Sequence, residues 1–241
     1  MFEKIRELLK PLIKPCFKVI ASAQSFSPAD AAKTRIGGPA YAGNSAAFPV
    51  CLACSKKLTF VFQFRQMPDS NSGELVQFFY CFDCSPCGGK KEDGQWLIRT
   101  FKDIIDCSFV DSSDPEHQIP PCKCSFEKIN MLPDFESLEE MGHQVVKLCE
   151  KVNSDDPWDV YEEACLSINC CVEPVTSIGG YPIWIQGEAE KKCPKCSEKM
   201  NFVAQLDSVP EADLMWGDAG CVYLFRCRNH PDQFSLEMQC F

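Results

Sequence analysis

An α+β fold, made of two mainly antiparallel β units and a helical connector, is what this 241-residue sequence predicts, from three observations. The chain repeats itself, each repeat reads strand, loop, strand between cysteine pairs, and the stretch between the repeats has helical spacing. The repeat comes first. Ile36 to Cys84 opens with IGGP, passes CLAC and FVFQF, and closes with FFYCFDC; Ile178 to Phe241 opens with IGGYPIWIQ, passes CPKC and MNFVAQLD, and then reads CVYLFRCRNH. An offset of 142 positions pairs Gly37 with Gly179, Cys51 with Cys193, Cys54 with Cys196, Phe60 with Phe202 and Gln63 with Gln205. Four more residues then enter the second copy, and an offset of 146 pairs Phe79 with Phe225, Cys81 with Cys227 and Cys84 with His230. Internal duplication is the expectation. Parallel strands need long, usually helical crossovers, which the repeats lack, so their sheets should be antiparallel.

Four segments follow: residues 1–30 as an amphipathic helix and linker, 31–134 as the first repeat, 135–171 as a helical acidic connector, and 172–241 as the second repeat. The repeats are expected to pack as one globular unit. Residues 2–14 place Phe2, Ile5, Leu8, Leu9 and Leu12 near helical spacing, perturbed by Pro11 and Pro15. Leu58–Phe64, Leu75–Cys81 and Trp96–Phe101 read as strands, rich in aromatic and β-branched residues. MPDSNSGE (67–74), GGKKEDG (88–94) and DSSDPEHQIPP (111–121) read as loops. Leu138–Val152 and Trp158–Ile168 read as helices, the second started by the SDDP run at 154–157. Met200–Leu206 and Cys221–Cys227 are the strands of the second repeat.

Composition bounds the function. The chain is 45% hydrophobic and 24% charged, a globular balance, and holds no apolar run long enough for a membrane span. Lysines at 4, 10, 14 and 18 make its start unlike a secretory signal, so a cytoplasmic protein without stable membrane insertion is expected. A net charge of −10 disfavours a nucleic-acid groove. Charge is uneven: residues 103–163 carry 16 acidic and 4 basic side chains, which suits a basic protein or peptide partner as well as a solvated surface. A reducing compartment leaves eighteen cysteines to be explained by something other than disulfides.

Each repeat sets two cysteines at C-x2-C spacing before a strand and a second pair after the next. Cys51, Cys54, Cys81 and Cys84 make one candidate zinc set; Cys193, Cys196, Cys227 and His230 make the other. Two such turns direct four soft donors at one point, the closed tetrahedron of a structural zinc ribbon. Buried thiols or redox pairs are the competing reading, and Cys87, Cys122 and Cys124 rival the first set. Catalytic signals are thin. Of three histidines, His117 lies in a loop, His143 on a helix and His230 in a ligand set, and no nucleophile, base and orienting acid are joined in one pattern. Trp184, Gln186, Gln205, Trp216 and Asp218 form a candidate peptide-binding group in the second repeat, each with an architectural alternative. Gln205 would tie two loops, and Asp218 would fold the WGDAG turn.

On IGGYPIWIQ, CPKC, MNFVAQLD and MWGDAGCVYLF the chain resembles the YwqG-like family of unknown function, from about residue 30 to the end. Its cysteine knuckles and WGDAG are also similar to the programmed cell death protein and ribosome-maturation adaptor relatives of that family. The resemblance implies an α+β fold made by duplication and a protein-binding role, chaperone-like as in the adaptors or immunity-type as suspected for some bacterial members. In the first repeat Ala42 and Asn44 stand opposite Trp184 and Gln186, and no WGDAG occurs. Some members lack the cysteines, so zinc would serve local stability. Two functions from different classes follow: a cytosolic adaptor binding a protein or peptide client, or an enzyme using carboxylates or thiols in the cleft between the repeats.

Overall fold

A computed structural model of the chain describes residues 1–43, 47–67, 72–84, 91–104, 108–110 and 118–241. In chain order its elements are α1 (Phe2–Leu9), β1 (Lys14–Ala23), β2 (Arg35–Ile36), β3 (Ala40–Tyr41), β4 (Thr59–Met67), β5 (Ser72–Tyr80), β6 (Trp96–Phe101), β7 (Phe109–Val110), β8 (Cys122–Met131), α2 (Phe135–Glu140), α3 (Gln144–Val152), α4 (Pro157–Ser167), β9 (Ser177–Gly179), β10 (Asn201–Asp207), β11 (Cys221–Arg226) and β12 (Phe234–Gln239). The fold is mixed, and the strands are mostly antiparallel. Asn44, Cys87 and His117, with residues 68–71, 88–90 and 111–117 of the expected loops, lie outside the described residues.

The chain divides into two compact units, each discontinuous in sequence. One holds residues 1–18, 127–207 and 221–241; the other holds 19–126 and 208–220.

In the first unit β12, β11, β10, β9 and β1 lie side by side. The short β9 is central: Ser177 and Ile178 pair with Gln205 and Ala204 on one side and with Lys18 and Phe17 on the other. The helices form their own core, in which Ile5 and Leu9 of α1 are wholly buried against Val145 and Cys149 of α3 and Ala164 and Cys165 of α4. So the amphipathic helix covers this chain's own apolar surface. It stops at Leu9, a 3-10 turn spans Lys10–Leu12, and β1 begins at Lys14, where the sequence suggests helix to residue 14. The single helix expected over Leu138–Val152 is two. Gly142, in the left-handed region at φ +63°, turns the chain between them, and the His143 imidazole accepts from Val145 N–H to cap α3. Asp134 and Asp156 cap α2 and α4 in the same way, with Pro157 at the start of α4.

In the second unit β8, β2, β4, β5 and β6 lie side by side, and β3 pairs with β7. Phe60 to Phe64 and Leu75 to Tyr80 are almost continuously buried, as runs of Phe, Val and Tyr should be when both faces are covered. Arg35, also buried, donates to the carbonyls of Asp30, Ala31 and Pro39 and lies over the rings of Phe26, Phe60 and Phe109. Burial pushes its guanidinium down to about 9.

The wiring of the two units corresponds. In one, Gln63 donates to Lys33 O at 2.7 Å and accepts from Tyr41 N–H at 3.5 Å; in the other, Gln205 donates to Val175 O at 2.8 Å and accepts from Ile183 N–H at 2.9 Å. Every partner keeps the offset of 142. Thr34 Oγ1 accepts from Arg65 N–H as Thr176 Oγ1 accepts from Asp207 N–H. A bulge follows Phe60 in β4 and Phe202 in β10. Gln77 donates to Tyr41 O where Tyr223 donates to Ile183 O, an amide in one unit and a phenol in the other. The Gly-Gly turns match in backbone: Gly37 and Gly38 are left-handed at φ +61° and +70°, and Gly179 and Gly180 at +80° and +78°.

Candidate metal centres and an aromatic groove

The first C-x2-C turn of each unit folds the same way. Cys51 N–H donates to Lys56 O and Ser55 N–H to Cys51 O, with Ser55 left-handed at φ 63°; Cys193, Glu198 and Ser197 repeat this, with Ser197 at φ 60°. The turn closes a small bridge, Val50 to Lys57 in one unit and Lys192 to Lys199 in the other. The second pair of donors hangs from the end of β5 or β11.

Cys51, Cys54, Cys81 and Cys84 therefore meet, as do Cys193, Cys196, Cys227 and His230, with all ligand atoms of each set within 4.8 Å of one another. The Cys51–Cys84 and Cys54–Cys81 sulfurs are 3.8 and 3.7 Å apart. In the other set Cys196–Cys227 is 3.7 Å, and His230 Nδ1 lies 3.7 Å from Cys193 Sγ and 3.8 Å from Cys227 Sγ. An ion at the centre of a tetrahedron with metal–sulfur bonds of about 2.3 Å sets its sulfurs about 3.8 Å apart. Both donor sets could hold such an ion. Cys51, Cys81, Cys193 and Cys227 are buried, and their partners are half-buried.

Local dipoles favour thiolate at one sulfur of each knuckle. The N–H of Lys56 holds the Cys54 thiol down, against desolvation. At Cys193 desolvation pushes up, and the N–H groups of Lys195 and Cys196 with the neighbouring thiols bring the group down to about 6. Cys122 and Cys124, possible rivals for the first set, sit on β8 outside it, the Cys122 thiol donating to Glu211 O at 3.1 Å. The described cysteines are free thiols.

The candidate binding residues do not form one cluster. Trp216 is wholly buried, stacked on Phe82 at 5.5 Å and edge-on to Tyr80 at 5.3 Å, so it offers no surface to a partner. Its turn is closed by Ser208, whose Oγ accepts from Trp216 N–H at 3.0 Å, and by Gly220 N–H to Trp216 O; the Asp218 side chain is exposed. Gln205 is buried and holds the backbone at Val175 and Ile183. Gln186 is exposed and donates to Cys240 O. The loop carrying Trp184 is further fixed by Gln239, which accepts from Ile185 and Gln186 N–H and donates to Gly187 O. Gln239 escaped the sequence reading, although a lone amide on the alternating run FSLEMQ was the available signal.

Trp184 lines a cavity. Its ring packs 4.6 Å from Tyr223 and 6.0 Å from Phe225, beside Cys193, Cys196 and Cys227. With Phe202, Phe225, Tyr181 and Met200 it lines a groove of about 690 Å³ in the first unit. Asp134, Glu140, Glu188 and Glu190 line the same groove, along with Lys14, Lys191 and Lys199. Lys199 is paired with Glu188 and Glu190, Lys191 with Glu237, and Lys14 lies 3.9 Å over the Tyr181 ring. No helix among the described residues is long and apolar enough to cross a membrane.

No curated protein matches the chain. Residues 34–229 match the family described as Domain of unknown function (DUF1963), a span that takes in both C-x2-C knuckles and Trp184, and the chain belongs to that family.

Proposed function

We propose that the chain is a cytoplasmic adaptor that holds a protein or peptide client in the groove beside Trp184, with one structural zinc ion in each four-ligand cluster. The groove carries this reading: an aromatic floor with amide-fixed walls and flanking carboxylates is what peptide recognition uses. Zinc is the metal that suits seven thiolates and one imidazole in two closed tetrahedra, and four protein donors leave no position for an activated water. Its contribution is a cross-link between the knuckle turn and the strand end. The matched hydrogen bonds support a duplication, with repeats at 31–134 and 172–241 joined by the connector 135–171. Free thiols throughout the described residues suit a reducing compartment. Resemblance to the YwqG-like family and its adaptor relatives points the same way.

Capture of partners from native cytosol, identified by mass spectrometry, tests the reading. Trp184→Ala should lose the client at least tenfold while zinc content stays unchanged, and binding should weaken between low salt and 0.5 M salt if the acidic 134–163 stretch takes part. A client held equally by wild type and Trp184→Ala would contradict the groove assignment.

A further inference from the structure

A second cavity adjoins the groove, and its chemistry is different. It encloses about 150 Å³ beside α4, with Leu132, Phe135, Trp158, Tyr161, Val172 and Trp184 among its walls. That is room for a benzene-sized apolar group. Phe135 packs 4.8 Å from Trp158 and 5.6 Å from Tyr161, and the Tyr161 hydroxyl is used up in a bond to Pro133 O.

We propose that this cavity is a socket for one aliphatic side chain of a basic, extended protein segment. The proposal rests on the client-binding reading above and gives it an anchor. Pro133, Asp134, Pro182 and Trp184 line both cavities, so a chain lying in the groove passes the mouth of the socket. Trp158 is 45% exposed although the side chains behind it, Phe135, Tyr161 and Cys165, are buried. A large aromatic left half in water over an apolar hollow is covered to best advantage by a partner. Charge selects the flanks of the guest. Residues 134–163, which supply α2, α3 and the first half of α4, carry ten carboxylates against Lys147 and Lys151, and Asp134 and Glu162 stand in the cavity wall itself. Lysine or arginine on either side of the anchor complements that field.

Two fluorescein-labelled peptides of equal charge, GKKGLGKKG and GKKGSGKKG, titrated by anisotropy into the full zinc-loaded chain, test the socket. The leucine peptide should bind about tenfold to a hundredfold tighter, the ratio expected for burying one leucine side chain. Trp158→Ala removes a wall and Val172→Phe fills the hollow; each should bring the ratio of the two affinities close to one. Circular dichroism and zinc content report whether each variant is folded, and Val172→Phe decides if Trp158→Ala is not. Equal affinity of the two peptides for wild type, or a leucine preference that survives both variants, overturns the socket. A cytosolic client lost on Trp184→Ala but retained by both socket variants would leave the adaptor reading standing and overturn the socket alone.

Discussion

Cys196→Ser should lower the zinc content of the purified chain from about two ions to about one and the melting temperature by about 10 °C. Cys196 Sγ lies 3.7 Å from Cys227 Sγ and completes the set with Cys193 and His230. Removing it opens a closed tetrahedron, and where the unfolded chain has no preformed site, metal binding is folding free energy. A loss of about 3–5 kcal/mol translates to roughly that shift for a chain of this length. The damage should be local, with faster amide exchange along Cys221–Arg226, because β11 leads directly into Cys227. Cys165→Ser is the matched control: its thiol is buried on α4, belongs to neither set, and should keep both ions. Retention of two zinc ions by Cys196→Ser would remove Cys196 from the site.

Trp216→Ala should cost about 3–5 kcal/mol, the usual range for deleting a buried aromatic, and should leave zinc content and client binding unchanged in whatever fraction remains folded. The ring is wholly buried against Phe78, Tyr80 and Phe82. Trp216→Phe keeps an aromatic ring in the same packing and should cost less than half as much. Thermal melts of the two variants check both statements. Trp184→Ala should show the opposite balance, with a modest stability change and a large loss of client, because its ring is partly exposed on the groove. If Trp216→Ala abolished client binding in folded protein, WGDAG would have to be more than a packed turn.

Where burial was two-sided, the strands were legible: Phe60–Phe64, Leu75–Tyr80 and Cys221–Phe225 are apolar almost without interruption, and all three lie where the sequence places them. Strands β1, β8 and β12 were missed because their faces are only half buried. Lys14, Pro15 and Lys18 break the pattern in β1, Lys123, Glu127 and Lys128 in β8, and only Phe234 and Gln239 are buried in β12. The helix break at Gly142 was written in the sequence, but apolar spacing continues across it and hides the turn. Donor sets were readable because spacing alone brings a C-x2-C pair together and the repeat supplies the second pair. Binding residues were harder. A tryptophan in turn-like sequence does not say whether its ring caps a core, as at Trp216, or lines a groove, as at Trp184, and no local pattern joins Trp158 to Val172 and Trp184 across the fold.

X-ray absorption at the zinc edge on the purified chain tests the central claim most directly, that both knuckle pairs are closed zinc centres. Seven thiolates and one imidazole over two ions should give a first shell dominated by sulfur at about 2.3 Å, with a minor nitrogen contribution at about 2.0–2.1 Å. A shell made mainly of oxygen or nitrogen, or folded protein with no zinc absorption, would contradict it.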